Sequence, residues 1–208
     1  LTDSSAASDV YKRQYPFLMT HAPGEQFEAT ILEATGASSL TVVEMIQELW
    51  SGYGKILRLS LAGGNRETVV IKHVSIPFES RHPRGWNSNL SHKRKVFSYQ
   101  VETEWYRQWS TRCDEHCRIP KFLAFDRDVD NVLVVLEDLD SAGYPARLSG
   151  LSVSQIRNCL TWLAEFHATF LGEKPGGLWE TGTYWHLTTR PEELDALDDP
   201  SLKAAASK

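Results

Sequence analysis

No stretch of this 208-residue sequence is long and apolar enough to cross a bilayer, which takes about 20 residues, so no membrane partner is expected. The charged start followed by an apolar run that marks a secretory signal is also missing. Cysteine is scarce. Three residues, an odd number, imply no disulfide framework and fit a reducing cytoplasm. Positive charge is in deficit, with 22 Lys and Arg against 27 Asp and Glu and a net charge of -5. That balance argues against a nucleic-acid partner, which is usually met by a basic surface. It leaves a nucleotide pocket open, because a few local cations and backbone amides suffice to hold phosphates. Repeats and Pro-rich or Gly/Ser-rich linkers are absent as well.

What the chain does contain is enough apolar matter for a core. Hydrophobic residues make up 41%, with seven Trp, seven Tyr and eight Phe, so global disorder is not expected. Residues 1–14 (LTDSSAASDVYKRQ) read as a non-native-looking tail and are set aside. From Pro23 to Glu33, Phe27, Ile31 and Leu32 recur at helical spacing, and Gly36 is a plausible C-cap. Three strands are expected at Thr41–Trp50, Lys55–Leu61 and Thr68–Val74, joined by turn-forming residues as antiparallel hairpins. Alternation puts Leu57, Leu59 and Leu61 on one face. Ser75–His92 reads as an irregular insertion, after which Phe97, Val101, Trp105 and Trp109 mark an amphipathic helix. Two more strands, Lys121–Phe125 and Val132–Glu137, flank a polar turn. Ser152 and Gln155 form a capping box ahead of a helix with Ile156, Leu160, Leu163, His167 and Phe170 on one stripe.

Chemistry is suggested by a glycine-containing turn, Ser51-Gly52-Tyr53-Gly54, one strand ahead of Lys72. Glycines let a backbone approach phosphate oxygens, and an ammonium neutralises part of their charge. Val70 and Lys72 are two residues apart on a strand and share a face, so Val70 would cover a base while Lys72 reaches phosphates. A lysine amid Val69, Val70, Ile71 and Val74 needs a carboxylate. Glu102 is the candidate and Glu104 the second choice; the bland alternative is a lysine reaching to water beside a solvated glutamate. Val134–Leu139 is an apolar strand running into an acidic turn, which is either a base-binding edge or simply a strand surfacing.

Three other signals are weaker. Cys113, His116 and Cys117 supply three potential metal ligands without a fourth, so a helix end or loop is the plainer reading. The basic cluster Arg81, His82, Arg84, His92, Lys93, Arg94 and Lys95 reads as a solvated loop sooner than an anion site. Trp179, Tyr184, Trp185 and His186 could line a substrate cleft or pack in a core.

The order of Leu49-Trp50-Ser51-Gly52-Tyr53-Gly54, Val69-Val70-Ile71-Lys72, Tyr99 to Tyr106, Leu136-Glu137-Asp138-Leu139 and Leu163 to Ala168 resembles the aminoglycoside-phosphotransferase and choline-kinase-like superfamily, above all its ecdysteroid-kinase-like branch. The segments His82 to Asn87 and Ser91 to Lys95 are similar to an insertion in that branch. The resemblance implies an α+β, protein kinase-like fold. Its N-lobe, residues 15–139, would hold five mostly antiparallel strands and one embedded helix, and residues 140–208 would open a helical C-lobe. It implies ATP as the phosphoryl donor with Mg²⁺, and a hydroxyl of a small organic molecule as acceptor. Ser51, Gly52, Tyr53 and Gly54 would lie over the phosphates, Lys72 would contact them and pair with Glu102, and Val70 would cover the base. Glu137 and Leu139 would hold adenine through backbone groups, while His167 would be a packed core histidine. The family's catalytic loop begins His-Gly-Asp, and that tripeptide occurs nowhere here. Asp195, Asp198 and Asp199 stand in a different context, so the chain is expected to be an inactive fragment with its Mg²⁺ ligands in a missing C-terminal part.

Overall fold

The computed structural model describes residues 23–49, 52–76, 89–181, 185–191 and 200. Within them a five-stranded sheet has the order β1-β2-β3-β5-β4, with every neighbouring pair antiparallel. The strands are β1 (Ser39–Glu48), β2 (Gly54–Ala62), β3 (Thr68–Ser75), β4 (Phe122–Arg127) and β5 (Asn131–Glu137). The helices are α1 (Glu25–Thr35), α2 (Asn89–Glu104) and α3 (Val153–Thr169). None of the described helices is long and apolar enough to cross a membrane.

Period-two alternation divides the sheet into two working faces. Leu57, Leu59 and Leu61 of β2, Val69 and Ile71 of β3, and Leu133 and Val135 of β5 form the main core under Phe27 and Ile31 of α1. The α1 helix ends at Gly36, whose φ of 65° is the left-handed cap conformation that glycine adopts without steric cost. Thr30 of α1 donates to Asp126 Oδ2 of β4 at 2.6 Å, which fixes the helix against the far edge of the sheet. The edge strand β1 carries two register shifts, a common way to keep a sheet edge from pairing with another chain.

His73 also sits on the α1 side, edge-on to the Phe27 ring at 5.3 Å. Burial lowers its pKa, against a smaller opposing pull from Asp128. The native state therefore holds the neutral imidazole, and acid should favour the unfolded chain. Stability from this group is complete above the ordinary histidine value of 6.5 and declines as pH falls through and below it. Urea midpoints taken from neutral pH down to about pH 5 should fall more steeply for the parent than for His73→Gln. Identical slopes would rule out this coupling.

The second face carries Val70, Lys72 and Val74, and α2 crosses it. Leu49, Tyr53, Val74 and Tyr99 make a smaller core there. The expected irregular insertion ends earlier than the sequence suggests, because α2 already begins at Asn89. His92, Lys93, Arg94 and Lys95 are consequently helical, and Arg94 is buried. Arg81, His82 and Arg84 lie outside the described residues, as do Ser51, Tyr184, Asp195, Asp198 and Asp199.

The predicted stripe on α3 is the other departure. The capping box forms as expected, with Ser152 and Gln155 bonded reciprocally. Yet Ile156, Leu160 and Leu163 are exposed, and so is His167, contrary to its expected place in a core. The helix docks instead through an adjacent line of rings. Trp162 stacks on Phe166, and both Phe166 and Phe170 meet Trp105 at 5.5 and 5.1 Å. Trp162 Nε1 also donates to the Arg118 carbonyl at 2.9 Å. Aromatic area and a satisfied indole N–H outweigh a stripe of smaller aliphatics in choosing the contact face.

Candidate nucleotide-binding site

On β3, Lys72 is flanked in the sheet by Ile56 of β2 and Val134 of β5, and its side chain rises from the face that α2 crosses. Helical spacing places Lys95, Tyr99 and Glu102 on one side of α2, facing that strand. The Lys72 Nζ lies 2.5 Å from Glu102 Oε2 and 5.1 Å from the centre of the Tyr99 ring. Glu104, the second choice from sequence, has its side chain against Gly177 instead. The pair is only partly shielded, with 18% of the Lys72 side chain and 33% of Glu102 exposed, so an incoming anion can reach the ammonium.

The glycine turn earns its glycines for an additional reason. A Cβ at Gly54, where φ is 129°, would stand 2.0 Å from the His73 carbonyl oxygen, so the start of β2 could not lie this close to β3 with any other residue. Gly52 also has a positive φ, 74°, with nothing crowding the position of a Cβ. Tyr53 between them is buried and its hydroxyl meets His92 Nδ1 at 2.7 Å, which ties the turn to the first part of α2.

At the strand end, the Glu137 amide donates to the Lys121 carbonyl at 2.9 Å, and the Leu139 carbonyl accepts from the Tyr144 amide at 2.8 Å. The Glu137 carboxylate is buried and accepts from Arg118 Nη2 at 2.8 Å. These contacts make the segment after β5 a defined turn.

Sequence reasoning missed Arg58. It stands beside Val70 on the Lys72 face, and its guanidinium meets Asp138 at 2.8 Å, Asp140 at 2.6 Å and Glu44. Asp138 is 3% exposed and accepts from Thr68 Oγ1 as well, at 2.8 Å. Burial opposes the guanidinium charge, but Asp138 first, then Glu44 and Asp140, more than offset it and raise its pKa. Counting two residues on from Ile56, which pairs with Lys72, would have put Arg58 on this face; its three acidic partners come from distant parts of the chain and leave no local signal. Arg58→Met should leave the Asp138 carboxylate buried without its main cation, costing about 1–3 kcal/mol by chemical denaturation. An unchanged denaturation midpoint would show that the network contributes nothing.

A cleft of about 820 Å³ opens beside the ion pair, lined by Lys72, Lys95, Tyr99, Glu102, Trp179 and Trp185 among others. Trp179 lines the cleft and meets Phe97, itself exposed, edge-on at 4.6 Å. Among the described residues, no group of three or more His, Cys, Asp or Glu is placed to hold a metal ion. Burial and then the neighbouring Cys117 push the Cys113 thiol up to about 12, which keeps it protonated.

Residues 86–172 match the ecdysteroid kinase-like family, and the kinase-like recognition made from the ordered sequence segments is borne out over that span. No curated protein matches the chain. Among solved structures, a 2.2 Å crystal structure of WbdD is similar at a TM-score of 0.28 and 16% identity, over 57% of this chain and 21% of that one. A co-crystal structure of WbdD with the kinase inhibitor LY294002 gives a TM-score of 0.25 and 11% identity, over 62% of this chain and 33% of that one. The chain thus spans no more than a third of the length of these two structures.

Proposed function

We propose that this chain carries the nucleotide-binding lobe of an ATP-dependent phosphotransferase whose acceptor is a hydroxyl on a small organic molecule. The observation that carries the reading is the contact of Lys72 with Glu102, 2.5 Å between an ammonium on a central strand and a carboxylate on the helix crossing it. An ammonium fixed in this way is held ready for phosphate oxygens, and fixing it beforehand lowers the ordering cost of binding. The assignment of Gly52, Tyr53 and Gly54 to the phosphates rests on the turn that Tyr53 anchors beside α2, and Ser51, assigned with them, lies outside the described residues. Val70 lies on the Lys72 face, as a cover for the base requires. Backbone groups of Glu137 and Leu139 would hold adenine; of these, the Glu137 amide and the Leu139 carbonyl already have protein partners.

ATP with Mg²⁺ would supply the transferable phosphoryl group. The residues of this chain would bind, orient and neutralise. Calorimetric titration with ATP tests the reading directly. Saturable heat that competes with adenosine supports it. No ATP-dependent heat at millimolar nucleotide would favour the rival reading, a scaffold module built on the same lobe.

A further inference from the structure

Antiparallel register lays residues across the Lys72 face in rows. Ile56, Lys72 and Val134 make one row; Arg58, Val70 and Leu136 make the next, about 7 Å along the strands. The first row carries the ammonium assigned to phosphates. The second carries the half-buried Val70 assigned to the base, and its member on β5 is followed directly by Glu137, Asp138 and Leu139. Arg58 reaches from this row to the turn after β5. Its Nε donates to Asp138 Oδ2 at 2.8 Å and its Nη2 to Asp140 Oδ2 at 2.6 Å. Asp138 lies between the two residues whose backbone is assigned to adenine. Its carboxylate also accepts from Thr68 Oγ1 at the start of β3, at 2.8 Å, and from the Asp140 amide at 3.1 Å. Thr68 Oγ1 and Ser141 Oγ meet at 2.5 Å. On the other flank, Arg118 holds the Glu137 carboxylate at 2.8 Å and lies 4.7 Å from the centre of the Tyr144 ring. None of residues 139–144 is buried, so contacts to the sheet fix this turn rather than a core of its own.

We propose that Arg58 is a positioning residue for the base: through Asp138 it holds the backbone of Glu137 and Leu139 at a fixed distance from Val70, so that a nucleobase meets an edge already in place. The proposal rests on the nucleotide reading and names the end of the site that Arg58 serves. Its physical ground is what buried charge does well. An ion pair taken out of water gains little net stability over apolar side chains of the same volume, and fixing one geometry is its best-attested use. A planar guanidinium presents its donors in a rigid fork, and here the fork engages two carboxylates of one turn at once. Asp138 is 3% exposed and the Arg58 side chain 18%, so salt and water weaken the contact little. With Glu44 as a third partner, the guanidinium is surrounded by the chain's own carboxylates. Arg58 therefore orients the backbone edge and is not an anion site. An edge fixed in the free chain removes an ordering cost from binding.

The test is calorimetric titration of the parent chain and Arg58→Lys with adenosine, ATP and inorganic tripolyphosphate. Thermal melts first establish that the variant is folded. Lysine keeps the charge and loses the fork. The expected result is a loss of about three- to tenfold for adenosine and ATP, with tripolyphosphate within about twofold of the parent. A structural role alone would weaken all three ligands together or none, and a role through charge alone would leave Arg58→Lys like the parent. Either result overturns the proposal. A parent that binds neither adenosine nor ATP overturns the nucleotide reading and the base role with it. A parent that binds adenosine no better than Arg58→Lys does overturns the role of Arg58 alone. Should Arg58→Lys melt early, Asp140→Ala removes one arm of the brace at a carboxylate that is 29% exposed. Adenosine weakened with tripolyphosphate unchanged then supports the proposal, and adenosine unchanged overturns it.

Discussion

Lys72→Met is expected to weaken ATP binding by about 10- to 100-fold, the range that follows from removing a charged hydrogen-bond donor worth roughly 1.5–3 kcal/mol. The same change should barely move the melting temperature. Its partner Glu102 is 33% exposed, so water can solvate the orphaned carboxylate, and pairs this accessible contribute about 0–1 kcal/mol to stability. The contrast between a large loss of affinity and a small loss of stability is the signature of a binding cation. A structural lysine would show the reverse. Glu102→Gln should weaken ATP less than Lys72→Met, because the ammonium remains and only its anchoring changes. Isothermal titration with ATP, paired with thermal melts of the same samples, measures both quantities. Equal affinity in parent and Lys72→Met would remove the basis of the functional proposal.

The site was legible in the sequence wherever its parts follow local periodicity. Strand parity put Val70 and Lys72 on one face, and the structure finds them there, with α2 lying across that face. The choice between Glu102 and Glu104 was open because a helix turns through about 200° in two residues and sequence does not fix its rotation. Packing fixes it: burying Tyr99 in the smaller core turns Glu102 toward Lys72. Arg58 was illegible for a different reason, since its carboxylate partners stand 14, 80 and 82 residues away in the chain. Such networks are tertiary events, visible only once β2 lies beside the turn after β5. The basic run at 92–95 was misread because a charge cluster normally signals solvent. Here the helix carries that cluster across a sheet face, and only Lys93 of the four is exposed.

The fold itself was legible strand by strand, and its energetic centre gives the largest stability effect to be expected. Ile71→Ala should destabilise the chain by about 2–5 kcal/mol, the usual cost of emptying a fully buried branched side chain. Ile71 has no exposed surface and lies in the main core with Leu57, Leu133 and Val135, on the middle strand of the sheet where β2 and β5 both pair with β3. It also sits one residue before Lys72 but points to the opposite face, so the substitution leaves a cavity in the main core without altering the charged pair. Leu160→Ala on α3 is the matching control. Spacing alone puts Leu160 on an apolar stripe; it is 59% exposed, and its loss should cost less than about 0.5 kcal/mol. Urea denaturation of the two variants separates the possibilities. Comparable losses at both positions would mean that α3 buries the aliphatic stripe in solution, and that the ring line Trp162–Phe166–Phe170 is not its contact face. A large loss confined to Ile71 assigns the stability to the sheet and α1 and leaves the ring line as the contact face of α3.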